Sequence, residues 1–298
     1  MKGIFYRSVE YSEKDGVTCA EIYQPGCRFS VAKTFDCGQC FRFDRVENSR
    51  HEAEYAGVAF GKYVSFAQDG DRYYIYGDVY GEKEDKLSFW LDYIGLDDEY
   101  DHINRDILSR SDNPALSAAV LCGDGIHILK QDRWETVCSF IISQNNNIPR
   151  IKKIIAALSE RYGEPIGGGH YAFPTAKALN EAGESGLAAL KTGFRAKYIA
   201  DAAARVSDGR LDLDSLCGST AECEKKLSEV KGIGPKVALC SLLFGFGHYD
   251  AFPVDVWIRR VTEKYFPVGF KPEDLGPYAG IAQQYLFYYE RYLKGENA

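Results

Sequence analysis

The sequence has little that would carry it into a membrane or a metal site. No apolar run approaches the ~18–20 residues needed to cross a bilayer. The opening stretch, MKGIFYRSVEYSEKDG, has no apolar segment followed by small residues, so a secretory signal is not expected. Only five histidines occur (His51, His102, His127, His170 and His248), and none are paired at metal spacing. Nine cysteines form no repeating framework, and the odd count fits reduced thiols in the cytoplasm of a prokaryote or a nucleus. Cys37 and Cys40 do make a C-x-x-C. No second pair supplies zinc ligands, and the βαβ setting of a redox motif is missing, although a thiol oxidoreductase stays open as a reading. Neither a metal nor an organic cofactor is expected.

A surplus of positive charge is also absent. The net charge of −7 speaks against a nucleic-acid binder, because phosphate contacts need cations. The distribution answers the objection. Residues 82–101 carry eight acids against Lys83 and Lys86, which accounts for nearly all of the excess. Elsewhere Lys191, Arg195 and Lys197 form a basic island, as do Arg150, Lys152 and Lys153.

With 298 residues, 45% hydrophobic and 27% charged, the chain can build one large or two ordinary cores. Roughly the first eighty residues read as β, short aromatic and β-branched runs broken by Asp-Gly turns. Beyond residue 82 the period becomes helical. Trp134, Val137, Cys138, Ile141 and Ile142 repeat at helical spacing, as do Ile151, Ile154, Ile155, Leu158 and Tyr162, with Gly163 as C-cap. Further helices are expected near 176–183, 196–207, 221–230, 235–245, 255–265 and 278–292. Gly167–Gly169 reads as a mobile loop. The fold class is therefore α+β, with an antiparallel sheet domain and trailing helices over 1–115 and a helical domain over 116–298.

The segment LSEVKGIGPKVALCSLLF carries most chemical information. A helix ending at Val230 or Lys231 reverses through Gly232-Ile233-Gly234, and Pro235 opens a second helix where its missing N–H costs nothing. The exposed N–H groups and the new helix N-terminus suit one DNA phosphate. An ordinary helical hairpin without ligand reads as well from these residues alone. Lys236 shifts the balance. In the first turn the macrodipole disfavours its positive charge by ~0.3–1 kcal/mol, which favours the neutral amine a nucleophile requires. Nineteen residues on, Pro253-Val254-Asp255-Val256 places Asp255 at a helix cap, where capping and dipole hold the carboxylate ionised. Such a carboxylate can stabilise oxocarbenium character in a sugar, or serve only as a cap.

GIGPK followed by PVDV resembles the helix-hairpin-helix glycosylase superfamily, which implies Lys236 as nucleophile and Asp255 as its electrostatic partner. Many members carry an iron–sulfur cluster after the aspartate, and this chain has no cysteine beyond Cys240. FIISQNNNIPRI, TGFRAKYI, CGQCFRF and GPYAGIAQQYLF are similar to signatures of the 8-oxoguanine DNA glycosylase family, from about residue 27 to 290. The resemblance implies excision of 8-oxoguanine opposite cytosine from double-stranded DNA by a monomer that is both glycosylase and abasic-site lyase.

The matching residues have physical readings of their own. Gln283 and Phe287, i and i+4, offer an amide edge and a stacking plate to a flipped base. Lys236 and Cys240 share the same spacing, placing a thiol near the nucleophile, although Cys240 and Phe287 could equally be core. Oxidation at position 8 turns nitrogen 7 into an N–H donor, and the resemblance assigns the accepting carbonyl to Gly38, where glycine permits close approach. Asn145 and Arg150 match positions that fill the gap and read the orphan cytosine. Phe194 stands where well-known members carry a tyrosine wedge, and a phenyl ring can still intercalate. Trp257 stands where they carry a histidine, which removes a phosphate contact, so opposite-base selectivity is expected to be weaker. On this reading Gly232, Gly234 and Arg195 are further DNA contacts. Two rivals remain at this point: an alkylbase glycosylase working through Asp255 and water, and a noncatalytic module with the hairpin as a phosphate clamp only.

Overall fold

The computed structural model describes residues 7–14, 16–80 and 86–293. Part of the acidic run (Glu82, Lys83, Glu84 and Asp85) and the residues Met1 to Tyr6 lie outside the described residues. Strands β1 (Ser8–Lys14), β2 (Val17–Tyr23), β3 (Phe43–Arg45), β4 (Ala53–Ala59), β5 (Lys62–Asp69) and β6 (Arg72–Tyr76) form one antiparallel sheet in the order β1-β2-β6-β5-β4-β3. The β5–β6 turn is the expected Asp69-Gly70 reversal, with Gly70 at φ 55°. The β4–β5 turn carries no such signature. Phe60 and Gly61 both take positive φ (49° and 68°), and the Phe60 ring packs edge-on to Phe89 at 5.1 Å. Between β2 and β3 sits a short helix, α1 (Val31–Asp36), capped by the Ser30 hydroxyl.

The remainder is helical: α2 (Lys86–Tyr93), α3 (Tyr100–Ser109), α4 (Pro114–Gly123), α5 (Arg133–Ser143), α6 (Ile148–Tyr162), α7 (Ala176–Ala189), α8 (Ala196–Ser207), α9 (Thr220–Leu227), α10 (Pro235–Phe246), α11 (Val256–Tyr265) and α12 (Ala279–Leu293). Three local expectations need correction. Gly167–Gly169 is the turn of a small hairpin, β7 (Pro165–Gly167) with β8 (His170–Tyr171), and all three glycines take positive φ. Helix α7 does not stop at Gly183; it kinks there, at φ 62°, and continues. Helix α9 ends at Leu227, three residues before Val230, and its capping box of Ser219 and Glu222 fixes the other end. Gly163 does cap α6, but with extended backbone; a side chain there would meet the Ala172 carbonyl at 2.0 Å.

Two hydrophobic cores result. The sheet core is built from Tyr55, Phe66, Tyr73, Ile75 and, from α2, Trp90. The helical core gathers α3, α4, α5 and α10 around Tyr285 and Leu286 of the central α12. Core membership changes between Leu96 and Tyr100. The two cores meet at residues 37–43, which alternate between them. Cys37 and Phe41 enter the helical core, Cys40 and Phe43 the sheet core. The C-x-x-C is therefore a packed seam. Burial pushes the Cys37 thiol up to about 12 and Cys40 higher still, so neither supplies the thiolate that redox chemistry needs.

Candidate active site and DNA-facing surface

At the end of this seam a cavity of about 440 Å³ opens, walled by the Gly38 loop, α5, the start of α6, α10, the Asp255 cap and α12. Lys236, Cys240, Asp255, Trp257, Gln283, Phe287 and Gly38, far apart in sequence, all line it. A larger cleft of about 710 Å³ lies elsewhere, beside Arg133, Asp214 and Phe246. There Arg133 already pairs with Asp214 at 2.7 Å, and the one lysine among the described lining residues, Lys130, is held by Asp92 and Asp98.

Lys236 is the second residue of α10, directly after the Pro235 that starts the helix. Its Nζ donates to Ser143 Oγ at 3.3 Å and stands 5.6 Å from the centroid of the Phe140 ring. The Ser143 hydroxyl spends its own proton on the Phe140 carbonyl at 2.8 Å, so a lone pair faces the amine. Phe140, Phe244 and Cys240 make this wall largely apolar, and no carboxylate within salt-bridge distance of Lys236 is found among the described residues. Cys240 is buried, and burial raises its thiol to about 11 against the pull of Lys236, so it stands there neutral. Asp255 caps α11, accepting the Ile258 N–H on Oδ1 at 2.8 Å. The cap occupies one oxygen and fixes the direction of the other.

Gly38 takes φ 82°, a conformation that costs glycine nothing. Its loop is held from both sides by buried amides. Gln39 donates to the carbonyls of Thr34 (2.9 Å) and His127 (2.8 Å) and accepts from Leu129 N–H (2.9 Å). Gln284 of α12 donates to the Cys37 carbonyl at 2.9 Å. Its neighbour Gln283 is not engaged in this way. Gln283 is 5% exposed, lines the cavity, and its Oε1 has no hydrogen-bond partner among the described residues. An unpaired buried acceptor costs about 1–3 kcal/mol, which a ligand N–H would recover.

The rim carries the remaining candidates. Asn145 is exposed at φ 46°, Arg150 is exposed in the first turn of α6, and Phe194 is 45% exposed on a 3-10 turn (Gly193–Arg195). Arg195 is placed differently from these three. It is only 2% exposed, and its guanidinium donates to the carbonyls of Gln144, Asn145 and Thr192. A buried guanidinium spends its donors inside the protein, so without DNA the Arg195 side chain braces the asparagine turn that carries Asn145. In the hairpin, Gly232 has φ 83°, and a side chain there would run into the Tyr198 ring at 2.3 Å. Gly234 is exposed with φ −98°, and a side chain would meet nothing within 4 Å. The first glycine serves the fold, and the second leaves open space beside the backbone.

Residues 22–137 match the family model for the 8-oxoguanine DNA glycosylase N-terminal domain, and residues 138–275 that of the HhH-GPD superfamily base excision DNA repair protein. The 8-oxoguanine glycosylase/lyase of Clostridium acetobutylicum, solved with double-stranded DNA containing cytosine opposite 8-oxoG, superposes with a TM-score of 0.84 at 36% identity, over 97% of this chain and 99% of that one. The chain belongs to the 8-oxoguanine DNA glycosylase family. The N-glycosylase/DNA lyase of Saccharomyces cerevisiae is 31% identical over 204 residues, 63% of this chain and 54% of the yeast protein, so the match spans about half of that relative. A 3-methyladenine DNA-glycosylase from Archaeoglobus fulgidus shares the fold at 20% identity and a TM-score of 0.61.

Three residues of this family member's cavity escaped sequence reasoning. Ser143 and Gln284 meet their partners across 93 and 247 residues, and no local pattern marks them. Arg291 had a signal: Gln283, Phe287 and Arg291 are spaced i, i+4, i+8 on α12, and all three line the cavity.

Proposed function

We propose that the protein excises 8-oxoguanine from duplex DNA, opposite cytosine, and then cleaves the abasic site. The observation that carries this reading is the unpaired, buried Gln283 Oε1 in a cavity that Lys236 and Asp255 also line. A flipped purine would place its N–H donors on that oxygen and its face on Phe287. Lys236, as the neutral amine, adds to C1′ while the bond to the base breaks, and the Asp255 carboxylate stabilises the positive charge that develops on the sugar. Loss of a proton from nitrogen and opening of the sugar ring give the Schiff base. Loss of a C2′ proton then expels the 3′ phosphate. The amine supplies the nucleophile, so the reading invokes no metal or organic cofactor.

On the same reading the Gly38 carbonyl accepts from the N7–H of the lesion, and Asn145, Arg150 and Phe194 fill the space the base vacates. Gly232 and Gly234 seat a phosphate, and Trp257 covers the base. The protein acts as an intracellular monomer. Among the described residues no helix is long and apolar enough to cross a membrane.

Borohydride trapping on a labelled duplex with 8-oxoguanine opposite cytosine tests the proposal. A covalent adduct is expected with wild type, and Lys236→Gln should lower its yield at least about a thousandfold. Base release without an adduct would replace Lys236 by water activated by Asp255. Binding of the duplex without release of base would sink the proposal.

A further inference from the structure

The cavity holds a cation that the mechanism above does not use. Arg291 lines it from the last turn of α12, one turn beyond Phe287 and two beyond Gln283. Its Cζ stands 5.3 Å from the centroid of the Phe287 ring. Its Nη1 lies 3.4 Å from where a Cβ on Gly38 would stand. The guanidinium therefore bridges the two walls assigned to the base, the stacking plate and the Gly38 backbone. It makes no hydrogen bond or ion pair with any other described residue, so its donors are available to a ligand. Lys236 must be neutral to attack, which leaves Arg291 as the permanent positive charge among the described lining residues.

The chemistry of the leaving group says what such a charge can do. When the C1′–N9 bond breaks, its electron pair stays with the base, and an 8-oxopurine spreads that charge over N9 and the C8 carbonyl oxygen. The new bond is from the Lys236 nitrogen to C1′. The proton that nitrogen loses and the proton the base takes up both exchange with water. A fixed cation aimed where charge develops lowers the barrier most in a site walled by apolar groups, as Phe140, Phe244 and Phe287 wall this one. Resting on the proposed excision of 8-oxoguanine, we infer that Arg291 is a further catalytic residue, whose guanidinium meets the carbonyl edge of the flipped 8-oxopurine and stabilises the departing base. A plainer role is a cation–π brace that only orients Phe287.

Single-turnover kinetics on two duplexes separate these roles. One duplex carries 8-oxoguanine opposite cytosine, and the other carries a preformed abasic site, from which no base has to leave. Removing one such donor elsewhere costs about a hundredfold to a thousandfold, and for a partly exposed side chain about tenfold to a hundredfold is expected. Arg291→Met should slow base release by that factor, while strand cleavage at the abasic site falls far less, so the ratio of the two rates drops at least about tenfold. Arg291→Lys keeps the charge and should recover most of the excision rate. Lowering the pH should also narrow the gap between Arg291→Met and wild type, because protonation of the departing base replaces the missing charge. Equal excision by Arg291→Met and wild type would overturn the inference. So would parallel loss of both activities, or equal loss in the Met and Lys variants, since a brace predicts those. If wild type itself released no base, the functional proposal would fail first and this inference with it.

Discussion

The sheet half and the helical half meet along residues 37–43 and 126–129, and they serve the cavity in opposite ways. From the helical half come side chains: Lys236, Asp255, Gln283, Phe287, Cys240 and Arg291. From the seam with the sheet come, among the described residues, Gly38 and Phe41. The sheet is not short of chemically capable groups. On its surface His51 contacts Asp69 at 2.7 Å and the Tyr76 hydroxyl at 2.7 Å, a set that on paper resembles a proton relay. Both ring nitrogens are already engaged, and the cluster lines none of the cavities described above. The Gln283 acceptor in the helical half is buried and unengaged. Satisfied polar groups stabilise a fold; an unsatisfied buried acceptor on a cavity wall, as Gln283 is, is a candidate ligand contact.

The sharpest way to break this comparison is Asp255→Asn. Asparagine caps a helix about as well as aspartate, so the melting temperature should barely move. Excision should nevertheless fall by about a hundredfold to a thousandfold, because the charge facing the sugar is gone. An active variant would reduce Asp255 to a cap.

The two hairpin glycines come next. Gly232→Ala forces a Cβ into the Tyr198 ring at positive φ and should destabilise the protein by about 2–3 kcal/mol in urea unfolding. Gly234→Ala meets open space and should cost under about 0.5 kcal/mol, while weakening binding to duplex DNA if a phosphate sits against that backbone. Similar stabilities would contradict the division between fold and ligand.

The seam between the halves is tested by pH. His127 is buried, stacked on Tyr100 at 3.7 Å, and burial lowers its pKa to about 3 from the ordinary 6.5. The unfolded chain therefore binds this proton first, and stability should fall as pH drops from 6.5 toward 3, by up to about 1.4 kcal/mol per unit. Glu135 acts with the opposite sign. Burial raises it to about 7, so its contribution is complete below pH 4.5 and is lost as pH rises through 7. Urea unfolding of His127→Gln at pH 7 and pH 5 should show a smaller acid loss than wild type. An unchanged loss would place the acid sensitivity elsewhere.

Gln284→Ala should give a smaller effect, about 1–2 kcal/mol of stability, because the Cys37 carbonyl is left unpaired. It should also reduce the preference for 8-oxoguanine over guanine through a loosened Gly38. The smallest effect is expected from a thiol reagent under native conditions. It should reach the exposed Cys217 before the buried Cys37 and Cys40, and excision should survive.

Much of this was legible beforehand for physical reasons. The period change near residue 82 separates the last strand, β6, from the run of helices that begins with α2, because alternation buries a sheet face while 3.6-residue spacing buries a helix stripe; the change of core comes later, between Leu96 and Tyr100. Lys236 and Asp255 were readable because proline and aspartate fix where α10 and α11 begin, and a helix start sets its first-turn residues in space. Gln283 and Phe287 followed from i, i+4 spacing, and extending that spacing one more turn reaches Arg291. The burial of Arg195 was not legible, because basic residues near a turn look alike in sequence, whether they face solvent or three carbonyls. Phe60 in a left-handed turn was likewise invisible, since its compensation, the Phe89 ring, arrives from another element.

The sequence by itself determined most element types and the starts of α10 and α11, and so where Lys236 and Asp255 stand on them, all of which depend on neighbours a few residues away. Only the tertiary structure decided which of them meet. Lys236 and Ser143, Gln284 and Cys37, and Arg291 and Gly38 are brought together by two cores packing across one seam, and burial is what separates a brace such as Arg195 from a group left open to the cavity.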